Sequence, residues 1–410
     1  MRHIRNPASL VAVAFCVLAA SALTACGGDD NHGTAPPQTQ ILHSFGDETP
    51  VVIAPSGLVL GKDGNFYGTG LGGTYGRGTI FKLTPAGVAS VVHSFDPSAG
   101  DGSGPSSGMI VGSDGNFYGT TIAGGTHDAG TVFKMTPDGT ASVLYSFKGY
   151  PSDSAYAAAG LFQASDGNFY GTTDFGGPYN EGTVFKLTPS GVETVLYSFG
   201  SAAHDPTSGF GALVEGDDGN FYGVSGYGGA NQEGAVFKIT PEGILTLVHS
   251  FAGVNDGAYP YDCGLLKARD GNFYGVASDG GPNYGGVVYK LTPAGDLTLM
   301  HAFDSSAGLG FRPEGTLVED SLGNLYGSTQ SGGYPRTVYG NHGASLTGQS
   351  GTIFEITAAG KAVQLSNFGP TDADGTNPAG PPILGQDGNL YGVTSSGGAN
   401  GAGVFYKITR

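Results

Sequence analysis

Seven times along this 410-residue chain the pattern Gly-Asn-Phe/Leu-Tyr-Gly returns, with its asparagine at Asn65, Asn116, Asn168, Asn220, Asn272, Asn324 and Asn389. The gaps are 51, 52, 52, 52, 52 and 65 residues. Self-similarity at such a period belongs to proteins built from stacked copies of one supersecondary unit. Each motif is followed by a Gly-Gly pair and a strand-like run such as Thr79-Ile80-Phe81-Lys82-Leu83. In the first five copies Thr-Pro-x-Gly comes next, and a third apolar run ends in a Ser-Phe-like pair, as in Val195-Leu196-Tyr197-Ser198-Phe199.

Each unit therefore holds four short runs bounded by turn residues, the pattern of antiparallel strands. In the second copy these are A (108–112), B (116–121), C (130–136) and D (142–147). Asp114-Gly115 makes a tight A–B hairpin and Pro137-x-Gly139 a C–D turn. One such sheet cannot bury both faces alone, so neighbours must stack, and a ring removes the exposed ends of the stack. The fold class expected is all-β, a seven-bladed β-propeller of four-stranded antiparallel blades. Gln40 to Phe45 reads as a D strand with no A, B or C before it, and the last copy stops after C. An N-terminal strand in the last blade would then close the ring. The competing register starts each unit with the Ser-Phe run, and an open solenoid is a more distant rival.

Function should lie where the copies differ. The A–B and C–D turns are short and alike, whereas the B–C and D–A connections vary, and variable loops on a rigid scaffold are the usual seat of binding. The sixth unit carries a long insertion between Gly333 and Gly351, which accounts for the 65-residue gap. The candidate ligand-binding residues on this face are Tyr334, Arg336, Tyr339, Asn341 and His342 of the insertion, with Tyr284, Tyr227, Tyr179, His127 and Arg312 from other units. Tyrosine beside Asn, Arg and His offers flat apolar surface next to hydrogen-bonding groups, a set suited to sugars or peptides.

Residues 1–25 read as an export signal: a basic start at Arg2 and Arg5, an apolar run from Leu10 to Leu23, then Leu23-Thr24-Ala25-Cys26. This quartet resembles the lipobox of bacterial lipoproteins, which implies lipid on Cys26 and a membrane as partner. Residues 26–40 are polar and Gly/Pro-rich, a flexible tether, and the propeller is expected over 41–410. Gly27 after the cysteine points to the outer membrane of a Gram-negative host, or the cell surface. The net charge of −17 becomes −19 once the two signal arginines are removed. So acidic a body repels nucleic acid. With Cys16 in the signal and Cys26 acylated, Cys263 is alone in the mature fold and no internal disulfide forms.

No catalytic or cofactor motif is present. Asp63-Gly64-Asn65 and its equivalents supply one acid per turn, too few for a calcium loop. His43, His93, His249 and His301 alternate with Tyr145 and Tyr197 at one D-strand position, which points to a shared packing or hydrogen-bonding role rather than to metal. Lys82, Lys134, Lys186, Lys238, Lys290 and Lys407 recur on C, with Glu355 in the sixth unit, and are expected to solvate blade edges. No cofactor and no metal are expected.

The unit Ser-Asp-Gly-Asn-Phe-Tyr-Gly-Thr-Thr-x-x-Gly-Gly with Gly-Thr-Val-Phe-Lys-Met/Leu-Thr-Pro-x-Gly and Leu-Tyr-Ser-Phe, at residues 113–147 and 165–199, resembles the GloVer tandem-repeat family of bacteria, the "choice-of-anchor" repeats. The resemblance covers residues 41–410 and implies an exported, surface-associated protein; it brings no established activity. The function expected is a non-enzymatic binding or scaffold module for glycan or surface protein. The alternatives are a carbohydrate-active lyase or hydrolase on the same face and a purely structural envelope protein.

Overall fold

The motif opens the second strand of every blade in the computed structural model, which describes residues 37–410 apart from 106, 209, 210, 262, 305–308, 334, 340–344 and 370. The export segment, Cys26 and residues 27–36 of the tether lie outside the described residues. In blade two the strands are A Ile110–Val111, B Phe117–Thr121, C Thr131–Met135 and D Ala141–Ser146, hydrogen-bonded in the order A-B-C-D. Among the described residues six sheets have these four strands and a seventh has five.

Every residue of the motif has a reason. Its first glycine takes a positive φ at the A–B turn, +77° at Gly64. The asparagine amide donates to the aspartate two residues before it, as Asn65 Nδ2 does to Asp63 at 2.7 Å. The phenylalanine packs on the tyrosine of the preceding blade: Tyr67–Phe117, Tyr118–Phe169 and Tyr222–Phe273 ring centroids are each 4.3 Å apart. The tyrosine hydroxyl returns to the same aspartate, 2.9 Å from Tyr67 to Asp63. The second glycine leaves room for an aromatic ring of the C strand, because a Cβ on Gly68 would lie 2.5 Å from the Phe81 ring. Aromatic packing across seams, rather than a single centre, is the core.

The lysines of the C strands do more than solvate an edge. Lys82 Nζ sits 2.9 Å from Asp63 and 5.4 Å from the Tyr67 ring centroid, and the arrangement recurs at Lys134, Lys290 and Lys407. The aspartates therefore act as the hubs of the A–B turns.

Ring closure follows the expected route. The D strand of blade seven is Gln38–Ser44, antiparallel to the C strand Val404–Thr409 and paired Gln38 to Thr409. It takes in three residues that the sequence assigns to the tether. Blade one meets blade seven through the contacts that join other blades: Phe66 lies 4.6 Å from Tyr391, and Ala54 N donates to Ala402 O at 3.1 Å.

One feature is absent from the sequence reading. The end of each D–A connection pairs with the end of B, adding a short second ladder above the blade, as in Gly102–Gly124, Ala155–Phe175, Thr207–Tyr227 and Ala258–Asp279. In blades one and six it merges with the A strands Val52–Leu60 and Phe311–Glu319.

Candidate functional site

The second ladder positions the side chains of the variable face. Just after it, every blade places one residue in the left-handed region: Ala54, Gly104, Tyr156, Ser208, Tyr259, Arg312 and Asn377, at φ from +44° to +65°. The reason is a bond to the neighbouring blade. Tyr156 N donates to Ala129 O at 3.0 Å, Tyr259 N to Glu233 O at 2.8 Å and Asn377 N to Ser350 O at 2.9 Å. Glycine would adopt this conformation without strain, yet six of the seven positions carry a side chain, at about 1 kcal/mol each. Tyr156, Tyr259 and Arg312 thereby stand up from the face.

In blades one to four the root of the D–A connection is held by a carboxylate. His93 Nε2 lies 2.7 Å from Asp101, His249 Nε2 2.8 Å from Asp256, and the Tyr145 and Tyr197 hydroxyls donate to Asp153 at 2.8 Å and Asp205 at 2.9 Å. The same acids accept loop amides, Lys148 N and Ser154 N on Asp153 at 2.8 Å each. This is the shared role of the alternating His/Tyr position. In blade seven His43 and Glu48 repeat it; with Asp47 their ligand atoms lie within 4.8 Å of one another, but Glu48 already accepts from Gly46 N and Val52 N. His301 has Leu309, not an acid, eight residues on, and burial lowers its pKa.

Among the described residues, a hollow lies between these fixed elements at each of the three seams from blade one to blade four. The first, about 560 Å³, is lined by Tyr75, Arg77, Asp96, Ser98, Ser103 and Asp128. The second, about 470 Å³, has His127, Lys148, Tyr150, Tyr156, Phe175 and Asn180. The third, about 530 Å³, has Tyr179, Glu181, His204, Asp205, Thr207 and Gln232. They are one site three times over. Each uses the B–C turn and D–A connection of one blade and the ladder and B–C turn of the next. The second is the most aromatic: Tyr150, Tyr156 and Phe175 are all exposed, and Tyr156 meets Phe175 edge-on at 5.5 Å.

Beneath this hollow two acids meet. Glu193, on the D strand Glu193–Ser198 of blade three, is hydrogen-bonded to Asp153 and accepts from Ser154 Oγ at 3.3 Å. Burial first, then the charge of Asp153, raises its pKa to about 7. Neither acid lines the hollow.

The residues singled out from sequence fall into separate places. His127 and Tyr179 line the second and third hollows. Tyr227 belongs to a cluster with Tyr259 and Tyr261, at ring distances of 5.5 and 4.9 Å. Arg312 pairs with Asp279 at 3.5 Å. Tyr284 is 69% exposed at a left-handed turn position. Of the insertion, Arg336 and Tyr339 lie on a hairpin of Pro335–Tyr339 with Ser345–Gln349; Tyr334, Asn341 and His342 lie outside the described residues. Tyr150, Tyr156, Phe175 and Lys148 escaped the sequence reading. The signal for Phe175 was an aromatic where blades two and five have Ala123 and Asp279, shared with Tyr227 of blade four.

The profile of the Gloeobacter/Verrucomicrobia repeat matches residues 22–217 and 209–410. The chain belongs to the Gloeobacter/Verrucomicrobia repeat family. This repeat protein has no match among curated proteins. Its fold is similar to the extracellular domain of a hybrid two component system from B. thetaiotaomicron, with 14% identity over 91% of this chain and a TM-score of 0.56. The chain spans 41% of that protein's length. The BP39L lectin from Burkholderia pseudomallei is also similar, with 11% identity, 88% of this chain and 99% of the lectin covered, and a TM-score of 0.50. At these identities the likeness is one of fold. The repeat family thus supplies the scaffold.

Proposed function

We propose that this repeat protein is a non-enzymatic binding module of the cell envelope, held outside the cell by lipid on Cys26, which takes a glycan on its B–C/D–A face. The observation that carries the reading is the recurrence of one hollow at three successive seams, built on an unvarying frame and lined by exposed aromatic rings beside hydrogen-bonding groups. A ring face against a pyranose, with polar partners at the rim, is how proteins hold sugars in water. The extracellular setting of one structural neighbour and the lectin name of another are in keeping with it. The enzymatic alternative needs two acids flanking a substrate in a pocket. Two acids line the first hollow, Asp96 and Asp128, and two the third, Glu181 and Asp205, but one of each pair already serves its own loop, Asp96 accepting from Ser98 N and Asp205 from the Tyr197 hydroxyl and Ala202 N, which favours binding over turnover.

An array of neutral and acidic glycans probed with the detergent-solubilised full chain tests the reading. Saturable binding that weakens when Tyr156 and Phe175 are replaced by Ala is expected. Binding to no glycan, or binding indifferent to both replacements and to every other residue of the face, refutes it.

A further inference from the structure

We infer that the three hollows are equivalent subsites for successive stretches of one neutral polysaccharide, so that the protein is a multivalent binder; this rests on the glycan reading above and adds valency, ligand charge and the residues that create the subsites.

The second residue of the B–C turn is an exposed Asn283 in blade five, and in two other blades an asparagine that clasps the turn to its own blade. In blade four this is Asn231, whose Nδ2 donates to Phe251 O at 2.9 Å, and in blade seven Asn400, whose Nδ2 donates to Phe45 O at 3.1 Å. Each ties the turn to the end of its own D strand. In blades one, two and three the same position is Tyr75, His127 and Tyr179. Both tyrosines are 54% exposed, His127 is exposed, and each lines its hollow. Three consecutive seams thus replace a structural clasp with a ring facing solvent. A buried or half-buried aromatic needs no functional reason, but an exposed one in place of a bonded asparagine gains the fold nothing.

Adjacent hollows share walls. Asp128 lines both the first and the second. Asn180 of the second and Tyr179 of the third are neighbours in the chain. A single chain-like ligand can pass from one to the next without crossing a bare stretch. Each volume, about 470 to 560 Å³, suits a small unit of one or two sugar rings.

Charge selects against acidic glycans. Arg77 is offset by Asp96 and Asp128 in the first hollow, Lys148 by Asp128 in the second, and the third holds Glu181 and Asp205 with no Lys or Arg. With a chain at −17 overall, the field repels polyanions and leaves neutral polymers unaffected.

The test installs the missing clasp. Tyr75→Asn, His127→Asn and Tyr179→Asn are made singly and together in the full chain, which is then titrated with soluble β-glucan, xyloglucan and mannan as neutral polymers and polygalacturonate as the acidic one. Thermal midpoints are expected to hold or rise, because each substitution restores a turn-to-strand bond. Each single variant is expected to weaken binding of a neutral polymer about ten-fold, and the triple variant to abolish it, as loss of linked sites requires. Neutral-polymer binding unchanged by all three variants, or preference for polygalacturonate, overturns the multivalent inference while glycan binding itself stands. Binding of none of the polymers by the parent chain overturns both.

Discussion

The Arg410 guanidinium reaches across a seam to Asp320, in the A–B turn of blade six, and lies 4.8 Å from the Tyr326 ring centroid. In the other blades a lysine of the same blade fills this place, but blade six has Glu355 there, 3.2 Å from the Tyr326 hydroxyl. The cation lost from one blade is supplied by the strand end of the next, and Asp320 is only 4% exposed in the pair. Removal of Arg410 would leave a nearly buried carboxylate short of its partner. Arg410→Ala is expected to destabilise the fold by about 2 kcal/mol, and Glu355→Lys in that background to restore most of the loss. Urea denaturation of the four proteins checks it; a rescue no larger than that of Glu355→Gln would show that the cation is not what matters.

Acid should unlock all the A–B turns over one range. At Asp63 partial burial raises the pKa, but hydrogen bonds from Asn65, Lys82 and Tyr67 outweigh it and hold the carboxyl well below its ordinary value. Asp114, Asp166, Asp218, Asp270, Asp320 and Asp387 are lowered in the same sense. A carboxyl with a lowered folded-state pKa stabilises the fold above its unfolded-state value, about 4, and that stabilisation disappears as pH falls through and below it. The share of stability that these turns supply is therefore expected to be flat above pH ~5 and to fall steeply below pH ~4. Asp63→Asn should shallow that acid limb, read as the midpoint of thermal unfolding against pH.

Glu193 gives the opposite sign. Its folded-state pKa of about 7 lies above the unfolded value of 4.5. The protonated form is the one that the fold prefers, so its contribution is complete below pH ~4.5 and is lost as pH rises toward 7. Glu193→Gln keeps the hydrogen bonding and removes the charge. Allowing for the group's partial exposure, the variant is expected to gain about 1 kcal/mol over the parent at pH 8 and nothing at pH 4. A gain equal at both pH values would rule out the proton as its origin.

Two tyrosines should be better as phenylalanine. Tyr289 and Tyr406 occupy the C-strand position that is Phe81, Phe133, Phe185 and Phe237 in other blades, and among the described residues their buried hydroxyls have no hydrogen-bond partner. Tyr289→Phe and Tyr406→Phe are each expected to stabilise by about 0.5–1 kcal/mol, since an unmatched buried hydroxyl costs more than the contacts it makes. A destabilisation of similar size in denaturant melts would mean that the hydroxyls are satisfied in solution.

Much of the architecture was legible because the repeat is its own alignment. Seven copies compared with each other separated the frame from the departures, and the unpaired run at Ile41–Phe45 against a last copy ending after C implied how the ring is fastened. His127 and Tyr179 could be singled out because they lie in the B–C connections, where the copies differ. Tyr156 and Phe175 could not, because the ladder that joins Ala155 to Phe175 spans residues twenty apart in connections with no strand pattern of their own.

By itself the sequence determined the number of blades, the strand order, the turn chemistry and which face varies, since these follow from local spacing, from glycine at positive φ and from the period of the aromatic motif. Only the tertiary structure decided which residues share a hollow, that the C-strand lysines close aspartate hubs, and that Arg410 serves blade six in place of Glu355. Those relationships cross seams between blades. A seam is made by the angle and distance at which two sheets stack, and no short-range pattern in the chain encodes that geometry.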